Sequence, residues 1–287
     1  SANGVVGLRP TWGRVSRHGI LPLCWSMDTG GPMSRTVEDT AIIMNIIAGY
    51  DSKDPLTSRL PVPDYTKAIS ADLSGVRAGI LRELTDPPNA DQEVSKTVRA
   101  AAVQLEELGA IVEEVSFPLL PQIGGVSVPI VGGDAAYLHL DKVRTRPDDY
   151  GLSLRLRTIT ESLVPNQILQ KSMRIRAVVR QEWLKLFERF DVLLSPTLMY
   201  QVGKIKYSHH IKSREEAKSR FGQGSGDATI TSAFTGTPAL SIPCGFDSNK
   251  MPIGLQIMGS HFQEEMVLKV GHAYERSTNW HTMRPSL

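Results

Sequence analysis

A strand–helix–strand unit in the first half of the chain is the feature that most limits how this sequence can fold. VRAGIL at 76–81 is a short apolar run that predicts a strand, and IVEEV at 111–115 predicts a second one. Between them, DQEVSKTVRAAAVQLEEL at 91–108 places apolar residues on one helical face, and Gly109 can end that helix. Two strands joined by a helix at this spacing form a βαβ unit, so we expect part of the sheet to be parallel.

The rest of the chain continues this alternation of helices and strands. TVEDTAIIMNIIA at 36–48 predicts a helix capped by Thr36, and because nearly every side of it is apolar we expect it to be buried on most sides. The further elements that we predict are a mainly helical stretch from 130 to 190 with its longest piece at 166–189, strands at 191–196, 239–243 and 252–259, and helices at 227–235 and 263–277. This pattern indicates an α/β sandwich with a mixed sheet, and nothing in the composition marks a second domain.

Composition excludes several classes of protein. At 287 residues and 41% hydrophobic content the chain is long enough for one large domain, and its formal net charge of +2, with both signs mixed, gives no electrostatic footprint for nucleic acid. No apolar run approaches the ~20 residues that span a bilayer and no signal peptide is visible, so we expect no membrane interaction. Cys24 and Cys244 are too few for a disulfide framework and lack CxxC spacing; we interpret them as two reduced, buried thiols of a cytoplasmic protein.

The sequence carries none of the usual signatures of a catalytic centre. There is no G-x-S-x-G nucleophile elbow and no S-x-x-K pair. GQGSG at 222–226 lacks the lysine and the preceding strand of a phosphate loop. His209 and His210 are adjacent, do not share a helix face and are interpreted as loop residues. The residues themselves therefore predict neither a nucleophile nor a metal site.

Three stretches of the chain, in this order, closely resemble the amidase signature family. They are GVVGLRPTWGRVSRHGILPL at 4–23 continued by SMDTGGPMSRTVEDTA at 26–41, then FTGTPALSIPCGF at 234–246 with MPIGLQIMG at 251–259, and finally VLKVGHAYERSTNWHTMRP at 267–285. The resemblance covers essentially the whole chain. A single one of these stretches is weak evidence, but the ordered set is specific to the family.

The resemblance implies one domain, a three-layer α/β/α sandwich on a mixed sheet, incomplete in this chain and with residues 1–287 as its C-terminal part. In the family a Ser–cis-Ser–Lys triad cleaves the amide C–N bond without a cofactor: one serine attacks, the second relays the proton and the lysine is the base. Backbone N–H groups of a glycine-rich turn stabilise the oxyanion. That turn would lead directly into Ser1, with the nucleophile about six residues upstream, so we expect no catalytic residue in this chain, Ser1 included.

Four positions resemble family residues that line the substrate pocket. Arg157 in RLRTITES resembles an arginine that grips a charged end of the substrate, with Arg155 as a rival; the alternative for Arg157 is a surface charge on a helix. Asp227 in GSGDATITS resembles an aspartate that grips the other end, although its spacing to the FTGTP stretch differs by one residue and its alternative role is a helix N-cap. His139 matches a position that lines the same region, where the preceding acidic residue is Asp134.

The resemblance implies a serine-type amidohydrolase that cleaves a C–N bond in a small amide or urea-like substrate, similar to the soluble bacterial amidases. The alternative is a catalytically inactive, truncated relative that binds a ligand or a partner. In both cases we expect the 287 residues alone to be inactive. Because the absence of the upstream part would remove strands and bare apolar surface, we expect an upstream segment, a second chain, a second copy or a small C-type subunit to cover that surface.

Overall fold

The computed structural model describes residues 1–69, 72–203 and 228–284, whose strands form one mixed seven-stranded sheet. The strands are β1 (Val6–Arg9), β2 (Met33–Ser34), β3 (Arg77–Leu81), β4 (Ile111–Val115), β5 (Val192–Pro196), β6 (Ala239–Phe246) and β7 (Pro252–Gly259). Their order across the sheet is β2-β1-β6-β7-β5-β3-β4. β3 runs parallel to β4 and to β5, and the other neighbours are antiparallel. The parallel pair β3–β4 confirms the predicted βαβ unit.

Helices flank this sheet in the described part of the chain. They are α1 (Val37–Ile47), α2 (Tyr65–Ala68), α3 (Arg82–Thr85), α4 (Gln92–Glu107), α5 (Leu120–Thr145), α6 (Leu152–Glu161), α7 (Asn166–Leu186), α8 (Thr229–Thr235) and α9 (Glu264–Ser277). Two single-turn 3-10 helices span Pro147–Asp149 and Trp280–Thr282.

The helices cover both faces of the sheet. Successive strand residues point to opposite faces, so Val192 and Leu194 of β5 belong to one hydrophobic core while Leu193 belongs to the other. The first core is closed by α1, α4 and α9, and the second by α5, α7 and α8. The chain therefore folds as an α/β/α sandwich on a mixed sheet, as expected.

Helix α4 shows why the strongest sequence pattern was reliable. The Asp91 carboxylate caps the helix by accepting the N–H groups of Glu93 and Val94. Its buried residues, which recur at helical spacing, are Val94, Ser95, Val98, Ala101, Ala102 and Leu105. The capping residue and the apolar face both specify the same helix. Its bounds match the prediction over 91–108 to within a residue at each end.

Helix α1 has the predicted position, but the prediction that it is buried on most sides is wrong. Thr36 caps it through its side-chain oxygen, as expected. Val37 is fully buried, whereas Ile42 is 46% and Ile46 is 77% exposed. Because α1 lies in an outer layer, only one of its sides faces the sheet, and an apolar residue on the other side gains no burial.

The helical stretch begins at Leu120 rather than near 130, and its longest helix is α5, with 26 residues against 21 in α7. Glycines and Pro129 lower the intrinsic helix propensity of this segment. Pro121 fits the first turn, where its missing N–H has no helical partner to lose. Ile123 and Ile130 pack into the second core, and this packing stabilises a helix that propensity alone does not predict.

Cys24 and Cys244 are both free and buried, as predicted. Among the helices that the structure describes, none combines the length and apolar composition that crossing a bilayer requires. Within residues 1–69, 72–203 and 228–284, no three His, Cys, Asp or Glu side chains are grouped so that they could hold a metal ion.

Candidate functional site

One face of the sheet changes from apolar to polar along three neighbouring strands. On the face covered by α5, α7 and α8, Leu193 of β5 and Met258 of β7 are paired and lie in the second core. In the next row, Gln256 of β7 pairs with Ser195 of β5 and with Ser241 of β6. Residues two apart on a strand share a face, so Ser195, Gln256 and Ser241 form a polar row beside the apolar core.

The polar row is held together by hydrogen bonds. Gln256 is 2% exposed, and its Nε2 donates to Ser195 Oγ at 3.2 Å and to the carbonyl oxygen of Ala228, just ahead of α8, at 3.4 Å. The hydroxyls of Ser241 and Thr197 share a hydrogen bond of 2.7 Å. Buried polar groups are costly unless they are paired, so this network fixes three strands and the start of α8 relative to one another.

Arg176 of α7 is a buried cation in the layer that covers this face of the sheet. Its Nε donates to the carbonyl oxygen of Phe234 in α8 at 2.7 Å, and its Nη1 and Nη2 donate to Oγ and O of Ser26 at 2.8 and 2.9 Å. Burial lowers the pKa of the Arg176 guanidinium to about 10, and the positive charge of Arg180 adds to the effect. The residue remains charged at neutral pH and ties α7 and α8 to the loop of residues 23–29.

A second cation, Arg9 of β1, reaches the 23–29 loop from the sheet. Its guanidinium donates to the carbonyl oxygen of Met27 and, at 3.0 Å, to Oγ1 of Thr29. Burial lowers the pKa of Arg9 to about 10, partly offset by the Asp28 carboxylate and reinforced by Arg176. Neighbouring cations repel each other, which is why the charge of Arg176 lowers the pKa of Arg9. Because both remain charged, Arg9 and Arg176 concentrate positive charge at the 23–29 loop.

The 23–29 loop also carries its own internal supports. The Asp28 carboxylate accepts the N–H groups of Leu23 and Cys24 at 2.7 and 2.9 Å. The Cys24 thiol donates to Oδ2 of Asp134 on α5 at 3.2 Å. Burial, together with the Asp134 carboxylate, raises the pKa of the Cys24 thiol to about 12, so it stays protonated and is a poor nucleophile.

A cavity of about 240 Å³ opens on the outer side of the loop. Arg17 forms one wall: its guanidinium lies 5.2 Å from the ring centres of both Trp12 and Trp25 and pairs with the Asp54 carboxylate at 3.2 Å. Trp25 is 57% exposed and lines the cavity with Ile20 and other residues of the turn. The loop thus separates a buried, cationic interior from an aromatic outer recess.

The structure brings one predicted site residue, His139, to this loop. His139 is buried on α5, with Nδ1 at 3.1 Å from the Tyr150 hydroxyl and Nε2 at 2.7 Å from the carbonyl oxygen of Pro22, next to the loop. It therefore connects α5, the turn before α6 and the segment that enters the 23–29 loop.

The two predicted arginines lie on α6. Arg157 Nε donates to Glu161 Oε1 at 2.8 Å, and about half of the Arg157 side chain is exposed. Arg155 Nη1 lies 3.3 Å from the carbonyl oxygen of Pro147 and 3.7 Å from the Asp148 carboxylate. Asp227, the fourth predicted residue, lies outside the described residues, as do His209 and His210.

Sequence reasoning missed Arg176 and Arg9. A signal for Arg176 was present, because it lies three residues before Val179 and seven before Trp183, both fully or almost fully buried. An arginine on the buried side of a helix needs buried acceptors, and that pattern marks it for attention. Arg9 lies on a strand between Leu8 and Pro10, which are both buried. Because side chains alternate between the two faces of a strand, this pattern alone predicts that Arg9 faces solvent.

The fold is that of the amidase family. The amidase family model matches residues 1–268, and the chain belongs to that family. Similar curated proteins include the A subunits of glutamyl-tRNA(Gln) amidotransferase from Thermosynechococcus vestitus, 33% identical, and from Rippkaea orientalis, 35% identical, each aligned over 99% of this chain. The chain spans 62% of the length of these two relatives.

Solved structures agree with this assignment. A chain from a vestigial protein complex, described as revealing the evolutionary origins of an s-triazine catabolic enzyme, is 28% identical with a TM-score of 0.83, covering 96% of this chain and 59% of its own. The A subunit of the Thermotoga maritima glutamyl-tRNA(Gln) amidotransferase is 29% identical with a TM-score of 0.77, covering 95% of this chain and 58% of its own. A 6-aminohexanoate cyclic dimer hydrolase, 23% identical with a TM-score of 0.83, shares the fold.

Proposed function

We propose that this chain is part of an enzyme that hydrolyses the C–N bond of a small amide or urea-like molecule. The observation that carries the proposal is the amidase match over residues 1–268, which includes every strand of the described sheet. Residues 1–287 would form the C-terminal part of a single domain. Serine acyl transfer requires no cofactor, and none is proposed.

The Ser–cis-Ser–Lys triad is proposed to lie on polypeptide upstream of Ser1. The hydroxyls of the polar row are unsuited to attack, because Ser195 is fully buried and Ser241 shares its hydrogen bond with Thr197. The Cys24 thiol is kept protonated by burial. In this proposal the described residues form the wall and floor of the pocket, and the upstream segment supplies the attacking hydroxyl.

The two buried cations at the 23–29 loop favour a substrate with a carboxylate or carbonyl oxygen. The three hydrogen bonds of Arg176 use three of the five N–H donors that a guanidinium carries, so two remain. Nε of Arg9 is buried and has no hydrogen-bond partner among the described residues. Unpaired, desolvated guanidinium donors bind oxygen anions strongly and with defined geometry.

The predicted substrate-binding roles of Arg157, Arg155, His139 and Asp227 remain part of this proposal. Of these, His139 has the most direct support, because its hydrogen bond to Pro22 places it next to the 23–29 loop. The hydrogen bond to Glu161 engages only Nε of Arg157, so its Nη groups can still donate to a substrate.

A partner chain is also proposed. Several relatives are named as subunits of an amidotransferase, and a similar solved chain comes from a protein complex. A second copy of the chain or a small C-type subunit fits that pattern. The mass of the purified protein in solution, measured by light scattering and compared with the mass of its largest polypeptide, tests this expectation.

The full polypeptide encoded by the gene, assayed for ammonia release from small amides and urea-like compounds, tests the proposed function. We expect turnover by the full polypeptide and none by the 287-residue chain. Turnover by the 287-residue chain would contradict the upstream position of the nucleophile. Binding of these compounds without turnover by the full polypeptide would support the inactive, ligand-binding alternative instead.

A further inference from the structure

We propose that Gly254, with the hydroxyl pair of Thr197 and Ser241, forms a seat for the first residues of the chain, and that this seat positions the upstream catalytic turn for attack. These three residues act as positioning residues, since none of them is proposed to touch the reacting atoms. The inference rests on the proposed function, because it concerns the polypeptide that precedes Ser1.

Ser1 lies directly against Gly254 of β7. A methyl group added at Gly254 would approach Cβ and Oγ of Ser1 to 2.7 Å and its Cα to 3.0 Å. Contacts that short require the side chain and the backbone of Ser1 to move, because a well-packed site accepts an extra carbon only by shifting its neighbours. Gly254 is not among the glycines with positive φ. Close approach of Ser1 is therefore the reason that this position suits glycine.

The hydroxyl pair of Thr197 and Ser241 lies beside Gly254. Thr197, directly after β5, donates its N–H to the carbonyl oxygen of Gly254 at 2.8 Å, and its Oγ1 lies 2.7 Å from Oγ of Ser241 on β6. β7 runs between β5 and β6, so this side-chain bond crosses β7 next to the seat. It holds the three strands under Ser1 in one geometry.

A turn fixes the same segment at a second point on β7. The Gly4 N–H donates to the carbonyl oxygen of Ser1 at 2.9 Å, and Gly4 has a φ of 62°, which few residues other than glycine adopt. A Cβ on Gly4 would lie 3.6 Å from Cβ of Pro252. Residues 1–4 thus follow β7 from Gly254 to Pro252 before β1 begins at Val6, and β7 sets the direction in which polypeptide enters Ser1.

This arrangement links the sheet to the proposed chemistry. A nucleophile carried a few residues ahead of Ser1 has its position set by the seat, and a misplacement of about 1 Å can lower a reaction rate by about 100-fold. A shifted seat is expected to lower kcat rather than to raise KM, since Arg176 and the rest of the proposed pocket wall remain in place.

Variants of the full polypeptide test the inference. We expect Gly254→Ala, which displaces Ser1, and Thr197→Val, which removes the hydroxyl at nearly constant volume, to lower kcat by about 10- to 100-fold with KM changed less than about threefold. Thr197→Ser retains the hydroxyl and is expected to restore most of kcat. Gly7→Ala on β1 is the matched control, because its new Cβ would meet Met33 Cγ at an ordinary 3.7 Å.

Hydrogen exchange at the Gly4 amide provides a readout that needs no catalysis. If the Gly4 amide exchanges faster in Gly254→Ala than in Gly7→Ala, at equal global stability, the result supports the seat. Equal exchange rates in the two variants overturn it. A kcat of Gly254→Ala and Thr197→Val equal to that of the unmodified protein also overturns it. If Gly254→Ala does not fold, Thr197→Val and Thr197→Ser carry the test. A full polypeptide without amide hydrolysis overturns the proposed function and the positioning role together, while exchange still decides whether the seat holds residues 1–4.

Discussion

Glu275 of α9 is a buried carboxylate that binds the first turn of another helix, α1. Its two oxygens accept the Val37 N–H at the beginning of α1, at 3.1 and 3.0 Å. Burial raises the pKa of Glu275 to about 7; the Val37 N–H opposes this shift, whereas the nearby carboxylate of Asp39 adds to it. A negative charge at a helix N-terminus is favourable, but here desolvation outweighs that benefit.

The pKa of Glu275 predicts a pH dependence of stability. Because this pKa is raised in the folded state from an ordinary value of 4.5, the folded state binds the proton more tightly than the unfolded state does. The contribution to stability is therefore fully present at low pH and is lost as pH rises from about 4.5 through about 7, by up to about 3 kcal/mol. Glu275→Gln should remove this loss, so its free energy of unfolding relative to the unmodified protein should rise between pH 5 and pH 8.

Urea denaturation at both pH values measures the difference, with Glu107→Gln, at an exposed position of α4, as control. A stability difference between Glu275→Gln and the unmodified protein that is the same at pH 5 and pH 8 would show that Glu275 does not titrate in this range.

Arg176 predicts a change in substrate preference. Arg176→Met in the full polypeptide should raise KM by about tenfold or more for an amide that carries a carboxylate, because a charge-assisted hydrogen bond is lost. KM for a neutral amide of similar size should change little. Steady-state kinetics on both substrates measures the split, and Arg174→Met, at an exposed position of the same helix, is the control. Since Arg176 also bonds Phe234 and Ser26, thermal unfolding should accompany the assay; an equal loss for both substrates would assign it a structural role alone.

Individual site residues were harder to predict than elements. Arg157 and Arg155 stood out by resemblance, yet both form ion pairs on or beside their own helix. Arg176 was missed because its importance comes from acceptors on α8 and in the 23–29 loop, far away in sequence. A single sequence shows which side of a helix is apolar, but not which distant carbonyl groups will meet a buried guanidinium there.

At the scale of elements, the packing of α6 against α5 depends on one glycine. A Cβ at Gly132 of α5 would lie 2.5 Å from Cβ, Cδ and Oε2 of Glu161 at the end of α6. Cβ is the rigid end of that side chain, so the helices must separate to admit a methyl group. Glu161 in turn pairs with Arg157, which links this contact to a predicted substrate-binding residue.

Gly132→Ala should therefore destabilise the protein by about 1–3 kcal/mol, the usual cost of overpacking. Gly125→Ala on the same helix is the matched control: nothing lies within 4 Å of its new Cβ, and it should be neutral or stabilising by about 0.5–1 kcal/mol. Chemical denaturation of both variants measures the pair. Equal stabilities would mean that α6 adapts to the extra carbon without loss of packing.

Most elements could be predicted because their patterns are local. The βαβ unit, the strands β5, β6 and β7, and helix α9 combine an apolar pattern of one period with a clear stop. The glycines and Pro129 of α5 give this segment a low helix propensity. The helix forms because contacts with distant elements stabilise it. The exposed side of α1 was mispredicted for the same reason, since hydrophobicity does not tell an outer layer from an inner one.

At the scale of the whole molecule, the described residues form a sandwich with both cores closed and a polar row at one end of the second core. Two desolvated guanidiniums, the 23–29 loop that they hold and the hydrogen-bonded hydroxyls lie on the same face of the sheet. Ser195 of the row is fully buried, and the Cys24 thiol of the 23–29 loop is protonated. In the function proposed above, this chain supplies the binding half of an amide hydrolase, and the attacking group lies on polypeptide ahead of Ser1.

Covalent labelling of the full polypeptide with a fluorophosphonate, which reacts with an activated serine, tests that division most directly. After digestion, mass spectrometry locates the modified residue. We expect one labelled serine in a peptide upstream of Ser1, with label lost when a competing amide substrate is present. A label on any serine between Ser1 and Leu287 would place the nucleophile within this chain and contradict the division of roles.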